Sequence, residues 1–272
     1  MTKASPLIVF SDLDGTLLDH ATYAWDAARP ALDALRERDI PLILASSKTA
    51  AEMGGLRAEM GFAHCPAIVE NGAGLLEPEG AGASGDDGSD HQRLIAALDS
   101  LPADLRTHYS GFSDWGVDEV AARTGLPRDA AAKAAERRFS EPGLWSGDEG
   151  GRRKFEALLA EKGVTARQGG RYLTLSFGAT KASRMAEIAE RYGGGDLLPR
   201  LVALGDAPND IEMLEAADLG IVVANPQGAA LPELAGEAEG RIRRTSKPGP
   251  DGWNESVLRI LEEIARDGEN RT

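Results

Sequence analysis

The chain has 272 residues, more than one ordinary domain holds, so one large or two modest domains are expected. Apolar residues make up 42%, as in soluble globular proteins, and no run nears the roughly 18 apolar residues that cross a bilayer, which excludes a membrane-spanning helix. The formal charge is −14 and the basic clusters (Arg137-Arg138, Arg152-Arg153-Lys154, Arg241 to Arg244) are short, which excludes nucleic acid as a partner and reads those clusters as solvated faces.

The first apolar run, Leu7–Phe10, is too short for a signal-peptide core and reads as a strand buried on both faces. A helix over Ala28–Arg38 follows, then the strand Ile40–Leu44. Thr49-Ala50-Ala51-Glu52 has capping-box spacing and opens a helix with Met53, Leu56 and Met60 on one side. A lone Cys65 cannot pair within the chain and fits a reducing cytoplasm. The strand Ala67–Val69 leads into a polar turn, Glu70-Asn71-Gly72. Glu77–Asp90 is dense in Gly, Asp, Glu and Ser, and reads as a flexible connection into an inserted unit.

Within that insertion, helices are expected near His91–Leu101, Val117–Gly125, Ala130–Phe139 and Lys154–Gly163. The alternation of Tyr172–Phe177 predicts an antiparallel strand. An alternating pattern then resumes: helix Ala182–Tyr192, strand Leu201–Leu204, helix near Asn209–Ala217, strand Leu219–Val223, helix Asn254–Arg266. The expected architecture is an α/β, Rossmann-like parallel-sheet core over 1–84 and 178–272, with an α+β cap inserted at 85–177.

Asp12-Leu13-Asp14-Gly15-Thr16 sits at the carboxyl end of the first buried strand, where open α/β sheets bind ligands. Two carboxylates there call for a metal ion or a cationic partner. Gly205-Asp206-Ala207-Pro208-Asn209-Asp210 follows another apolar strand. A helix cap needs one such residue, and this segment offers Asp206, Asn209 and Asp210, hard oxygen ligands suited to Mg²⁺. Ser46-Ser47-Lys48 offers a hydroxyl, backbone N–H groups and an ammonium to a phosphate oxygen. Lys181 heads a helix, where a cation opposes the macrodipole unless an anion is nearby.

These four segments, in this order, resemble the haloacid dehalogenase superfamily of phosphatases, whose hallmark is Asp-x-Asp-Gly-Thr with a distal Gly-Asp-x-x-Asn-Asp. A closer resemblance is to the mannosyl-3-phosphoglycerate phosphatase family. It rests on Phe10 to Asp19, Ala45-Ser46-Ser47-Lys48-Thr49, Val69-Glu70-Asn71-Gly72-Ala73, Arg138-Phe139-Ser140-Glu141-Pro142, Gly169-Gly170-Arg171-Tyr172 and Gly249 to Asn254. One departure is Gly178-Ala179-Thr180-Lys181, where that family usually has an acidic residue before the Lys.

The resemblance implies a Mg²⁺-dependent phosphatase acting on a small phosphorylated glycoside, mannosyl-3-phosphoglycerate or glucosyl-3-phosphoglycerate, with a compatible solute such as mannosylglycerate as the expected product. Asp12 is the implied nucleophile and Asp14 the implied acid and base. Asp206 and the Asp14 backbone carbonyl complete the metal set with Asp12, and Asp210 orients metal-bound water. Ser46, Lys181 and Asn209 hold the phosphoryl oxygens. In the cap, Arg138 and Arg171 are the expected carboxylate ligands, Ser140 and Glu141 the sugar ligands, with Gly170 beside them; cap closure would exclude water. A broader sugar-phosphate phosphatase and a phosphohexomutase remain open as alternatives, and the sequence leaves the oligomeric state undetermined.

Overall fold

A computed structural model describes residues 7–81, 88–193 and 198–269, with side chains as far as 266. In chain order the elements begin with β1 (Leu7–Ser11), α1 (Arg29–Glu37), β2 (Leu42–Leu44), α2 (Ala50–Glu59), β3 (Ala67–Val69) and β4 (Gly74–Leu76). Next come α3 (Ser89–Asp99), α4 (Ala103–Arg106), β5 (Tyr109–Gly111), α5 (Val117–Thr124), α6 (Arg128–Ala135), β6 (Ser140–Trp145), α7 (Glu149–Ala160), β7 (Thr165–Gly169) and β8 (Tyr172–Ser176). The chain ends in α8 (Lys181–Tyr192), β9 (Arg200–Gly205), α9 (Ile211–Ala216), β10 (Leu219–Ala224), α10 (Ala235–Ala238), β11 (Ile242–Pro248) and α11 (Gly249–Glu269).

The chain divides into two compact units, one of Met1–Ser46, Arg57–Ala67 and Lys181–Thr272, the other of Ser47–Leu56 and Ile68–Thr180. The second unit contains the segment 85–177 together with Ser47–Leu56 and the residues from Ile68 onward. Part of the expected connection, residues 82–87 of Glu77–Asp90, lies outside the described residues.

Among the described residues, the first unit is built on a parallel sheet in the order β11–β10–β9–β1–β2. Ile8 and Phe10 of β1 are fully buried and Val9 nearly so, as the continuous apolar run requires for a strand covered on both faces. Each such side chain contributes about 1.5–3 kcal/mol by leaving water. Helix α1 packs with α11 and α8 with α9. The chain leaves β1 toward β2 on one side and pairs β1 with β9 on the other, so the order reverses at β1. That reversal opens a crevice at the carboxyl ends of β1 and β9.

The second unit has the antiparallel sheet β5–β6–β8–β7 and the pair β3–β4. Leu173 and Leu175 of β8 form one apolar cluster with Leu94 and Leu98 of α3 and Phe155 and Leu159 of α7. Phe112, Trp115, Val120, Ala131 and Ala134 form another. The capping box of α2 is closed in both directions: the Thr49 N–H donates to Glu52 (2.9 Å) and the Glu52 N–H to the Thr49 hydroxyl (3.3 Å).

The helix expected over Ala130–Phe139 stops at Ala135, because the chain must extend to feed β6. Strand β6, Ser-Glu-Pro-Gly-Leu-Trp, carries no strand signal in the sequence, because proline is disfavoured inside a sheet. It is tolerated because β5 pairs with β6 only as far as Gly143, and the Pro142 carbonyl still accepts the Phe112 N–H at 2.9 Å. Strand β11 hides in the basic run Arg241–Arg244: Ile242 faces in while Arg243 and Arg244 are exposed and paired with Glu263 and Glu237.

Candidate active site

Asp12 follows β1 directly, and its N–H extends the ladder to β9 by donating to the Leu204 carbonyl at 2.9 Å. The loop then folds tightly on itself. The Thr16 and Leu18 N–H groups both reach the Leu13 carbonyl, and the Gly15 N–H reaches that of Leu18. Gly15 has φ +86°, and a Cβ on it would lie 2.8 Å from an Asp206 carboxylate oxygen and 2.5 Å from the Asn225 amide nitrogen. Glycine is thus required twice, for the left-handed turn and for the close approach. Ser46 is buried just beyond β2, whose Leu44 is in register with Ser11, so it emerges at the same sheet end as Asp12.

Asp206 follows β9 as Asp12 follows β1, and side chains hold it on both oxygens. The Thr16 hydroxyl donates to one at 2.6 Å, and the Asn225 amide to the other at 2.7 Å. Asp210 accepts the backbone N–H groups of Asp206 (3.1 Å) and Ala207 (3.0 Å), fixing the turn that presents Asp206. A Cβ on Gly205 would lie 2.5 Å from that of Asp210, so this turn closes only over glycine. Lys181, at the first position of α8, donates to Asp12 and Asp210 at 2.6 Å each. That is the local anion expected for a cation at a helix N-terminus.

Asp12, Asp206, Asp210 and Lys181 are all buried, giving three carboxylates to one ammonium. Burial raises the Asp12 carboxyl well above its usual range, Asp210 and Asp206 push the same way, and Lys181 opposes them. Burial likewise raises Asp206, against the hydrogen bonds from Thr16 and Asn225. Burial alone would lower the Lys181 ammonium, yet Asp12 and Asp210 outweigh it and hold the group charged above its usual value. The cluster is short of positive charge, and oxygens of Asp12, Asp206 and Asp210 lie within 4.8 Å of one another. Hard oxygens so grouped fit a small divalent cation such as Mg²⁺, which would relieve the imbalance.

The family model of haloacid dehalogenase-like hydrolases matches residues 9–81 and 150–232, which carry the Asp12 loop, Lys181, Asp206 and Asp210. The chain belongs to this hydrolase family. It is 32% identical to the glucosyl-3-phosphoglycerate/mannosyl-3-phosphoglycerate phosphatase of Methanococcoides burtonii, over 93% of this chain and 97% of that one. It is 33% identical to the phosphatase of the same name from Persephonella marina, over 96% and 99%. Both relatives are phosphatases, and this chain is a phosphoric monoester hydrolase of the same class. Among solved structures, a haloalkanoate-superfamily phosphatase of Bacteroides thetaiotaomicron aligns with TM-score 0.64 at 18% identity, over 95% of this chain and 96% of that one. The sucrose-phosphatase of Synechocystis, in complex with sucrose and phosphate, aligns with TM-score 0.59 at 18% identity, over 96% and 98%. These two share the haloacid dehalogenase-like fold.

Of the residues expected to act in this hydrolase, Asp12, Lys181, Asp206 and Asp210 form one hydrogen-bonded group. Asp14 lies partly buried in the turn, bridged to Leu18, and Asn209 is exposed in the 3-10 turn Pro208–Asp210. Ser47 is exposed and Lys48 half-buried, both in the second unit.

The residues expected to hold substrate in the insertion have internal partners. The Ser140 hydroxyl donates to Glu70 at 2.7 Å. Glu141 is fully buried against His91 (2.8 Å) and the Ser113 hydroxyl and N–H (2.6 and 2.7 Å). Gly170 opens the β7–β8 hairpin loop, where Arg171 donates to the Arg123 and Thr124 carbonyls. Arg138 is exposed, while its neighbour Arg137 is turned inward.

Sequence reasoning missed Thr16 and Asn225 as the clamps on Asp206. Thr16 stood within a recognised motif, but Asn225 follows β10 with no local signal beyond a polar residue after an apolar strand. Trp253 is fully buried and donates to the Ser11 hydroxyl, which in turn donates to the Asp12 carbonyl.

Proposed function

We propose that this phosphatase hydrolyses mannosyl-3-phosphoglycerate or glucosyl-3-phosphoglycerate to the glycosylglycerate and inorganic phosphate. The observation that carries the reading is the identity of about a third, over nearly the full length of both chains, to two phosphatases named for these substrates. A reducing cytoplasm is the compartment that the single cysteine suits.

An Asp12 carboxylate oxygen attacks phosphorus and the ester P–O bond breaks, leaving an aspartyl-phosphate. Asp14 gives a proton to the departing glyceryl oxygen. A water then attacks the phosphorus of the aspartyl-phosphate, Asp14 takes its proton, and the P–O bond to Asp12 breaks to free phosphate. Splitting one displacement into two lowers each barrier, and proton transfer of this kind is worth about 10²–10⁴ in rate. Lys181 holds Asp12 in one orientation and offsets charge on the transferring phosphoryl, with Ser46 and the Ser47–Lys48 backbone as further donors. Asp12, Asp206 and the Asp14 carbonyl would hold Mg²⁺, with Asp210 behind them. When bound, the ion neutralises charge on the nucleophile and the phosphate.

The test is phosphate release from both glycosyl phosphoglycerates and from common sugar phosphates, with and without Mg²⁺. Expected is a Mg²⁺-dependent rate, abolished in Asp12→Asn, at least ~10²-fold above the other esters, about 2.7 kcal/mol of discrimination. Equal rates across the panel would retain the aspartyl-phosphate chemistry and refute the substrate.

A further inference from the structure

The turn Glu70-Asn71-Gly72 stands out in the sequence and has no part in the chemistry above. Its backbone is unusual: Glu70, Asn71 and Gly72 have φ of +51°, +58° and +95°, three successive left-handed residues of which only the last is glycine. Such conformations persist only where the surroundings over-determine them, and they concentrate at functional sites.

The surroundings here are a buried network within one compact unit. One Glu70 carboxylate oxygen accepts the Arg138 N–H at 2.9 Å. The other accepts the Phe139 and Ser140 N–H groups and the Ser140 hydroxyl, at 3.2, 2.8 and 2.7 Å. The Arg137 side chain lies against the same carboxylate at 3.5 Å; the two side chains are 7% and 0% exposed.

The network reaches the loop after β2 through two backbone carbonyls. The Arg137 guanidinium donates to the Ser47 carbonyl at 3.2 Å and to the Ser140 hydroxyl at 3.2 Å. The Glu70 N–H, turned by its left-handed φ, donates to the Lys48 carbonyl at 2.9 Å. The Ser47 carbonyl shares a rigid peptide plane with the Lys48 N–H, and the Lys48 carbonyl shares the next plane with the Thr49 N–H. That second plane is gripped again where the Thr49 N–H meets Glu52.

We propose that Glu70 and Arg137 are positioning residues of the phosphate-binding loop: together they fix both peptide planes flanking Lys48, and so set the direction of its N–H within the loop. The assignment rests on the reading that the Ser46-Ser47-Lys48 loop binds phosphate. An N–H donor contributes to phosphoryl transfer only if its plane is set beforehand, and a misplacement near 1 Å costs about 10² in rate.

The experiment compares Arg137→Ala with the unchanged enzyme for kcat/KM on its best phosphate ester and for inhibition by inorganic phosphate, with folding followed by circular dichroism. Expected are a folded variant, a loss of about 10²-fold in kcat/KM, a parallel rise in the phosphate inhibition constant, and recovery of both on adding guanidinium at low concentration. If Arg137→Ala does not fold, Arg137→Lys, which keeps the charge and one donor, carries the same measurements with an intermediate loss. A folded variant with unchanged kcat/KM and phosphate inhibition overturns the proposal and leaves the phosphatase reading intact. So does a loss that guanidinium does not relieve. An unchanged enzyme that releases phosphate from no ester overturns the reading, and the proposal with it.

Discussion

Replacing Lys181 by Met removes the single ammonium in the buried carboxylate cluster while keeping most of the side chain's volume. Its Nζ makes two 2.6 Å charge-assisted hydrogen bonds, to Asp12 and Asp210, and the residue is 2% exposed. Hydrogen bonds to charged groups contribute about 1.5–3 kcal/mol each, so two give about 3–6. Breaking a buried ion pair by deleting one partner costs about 3–5 kcal/mol. The two routes agree on about 3–5 kcal/mol, or roughly 10 °C in melting temperature for a chain of this size. The assay is urea and thermal unfolding without divalent cations, repeated across pH.

The pH dependence has a definite sign. The Lys181 ammonium is held charged above its ordinary value, so its stabilisation is complete below about 10.5 and declines only as pH rises through the elevated value. At the acid end the advantage fades earlier than for an ordinary Asp, because the Asp12 carboxyl protonates above its usual range. The gap between the enzyme and Lys181→Met is therefore widest in neutral to mildly alkaline solution, and excess Mg²⁺ narrows it by countering the stranded carboxylates. A gap below about 1 kcal/mol, or one that collapses between pH 8 and 10, would refute the argument.

Three further outcomes follow from the same geometry. Gly15→Ala forces a left-handed φ and a contact on Asp206, so it should lower stability by about 1–3 kcal/mol in denaturant titration and cut activity sharply. Asn225→Ala frees one Asp206 oxygen while leaving the other on Thr16, which should raise the Mg²⁺ concentration for half-maximal activity by about 10–100-fold; an unchanged Mg²⁺ titration would count against the clamp. Burial raises the Cys65 thiol and the residue is inaccessible, so a thiol reagent at pH 8 should leave it unmodified until urea unfolds the chain, and rapid reaction with the native protein would contradict this burial.

The legible parts of the sequence were those whose signal is local. Asp12 and Asp206 each follow a buried apolar strand, and a carboxylate at such a strand end needs a metal or a cation whatever the rest of the chain does. The capping box of α2 and the core strands are local in the same sense. Strand β6 was not, because Pro142 argues against a strand on propensity and is admitted only where its partner strand runs out. Asn225 and Thr16 were invisible as clamps because they meet Asp206 from 19 and 190 residues away. Glu70 shows the division most plainly. Its sequence reads as a polar turn, yet its carboxylate grips amides 68 to 70 residues further on. The sequence by itself determined which groups can do the chemistry, since residue type sets charge and reactivity. Only the tertiary structure decided how those groups are aimed, because an orientation is fixed by partners that the folded chain, and not its order, brings within hydrogen-bonding distance.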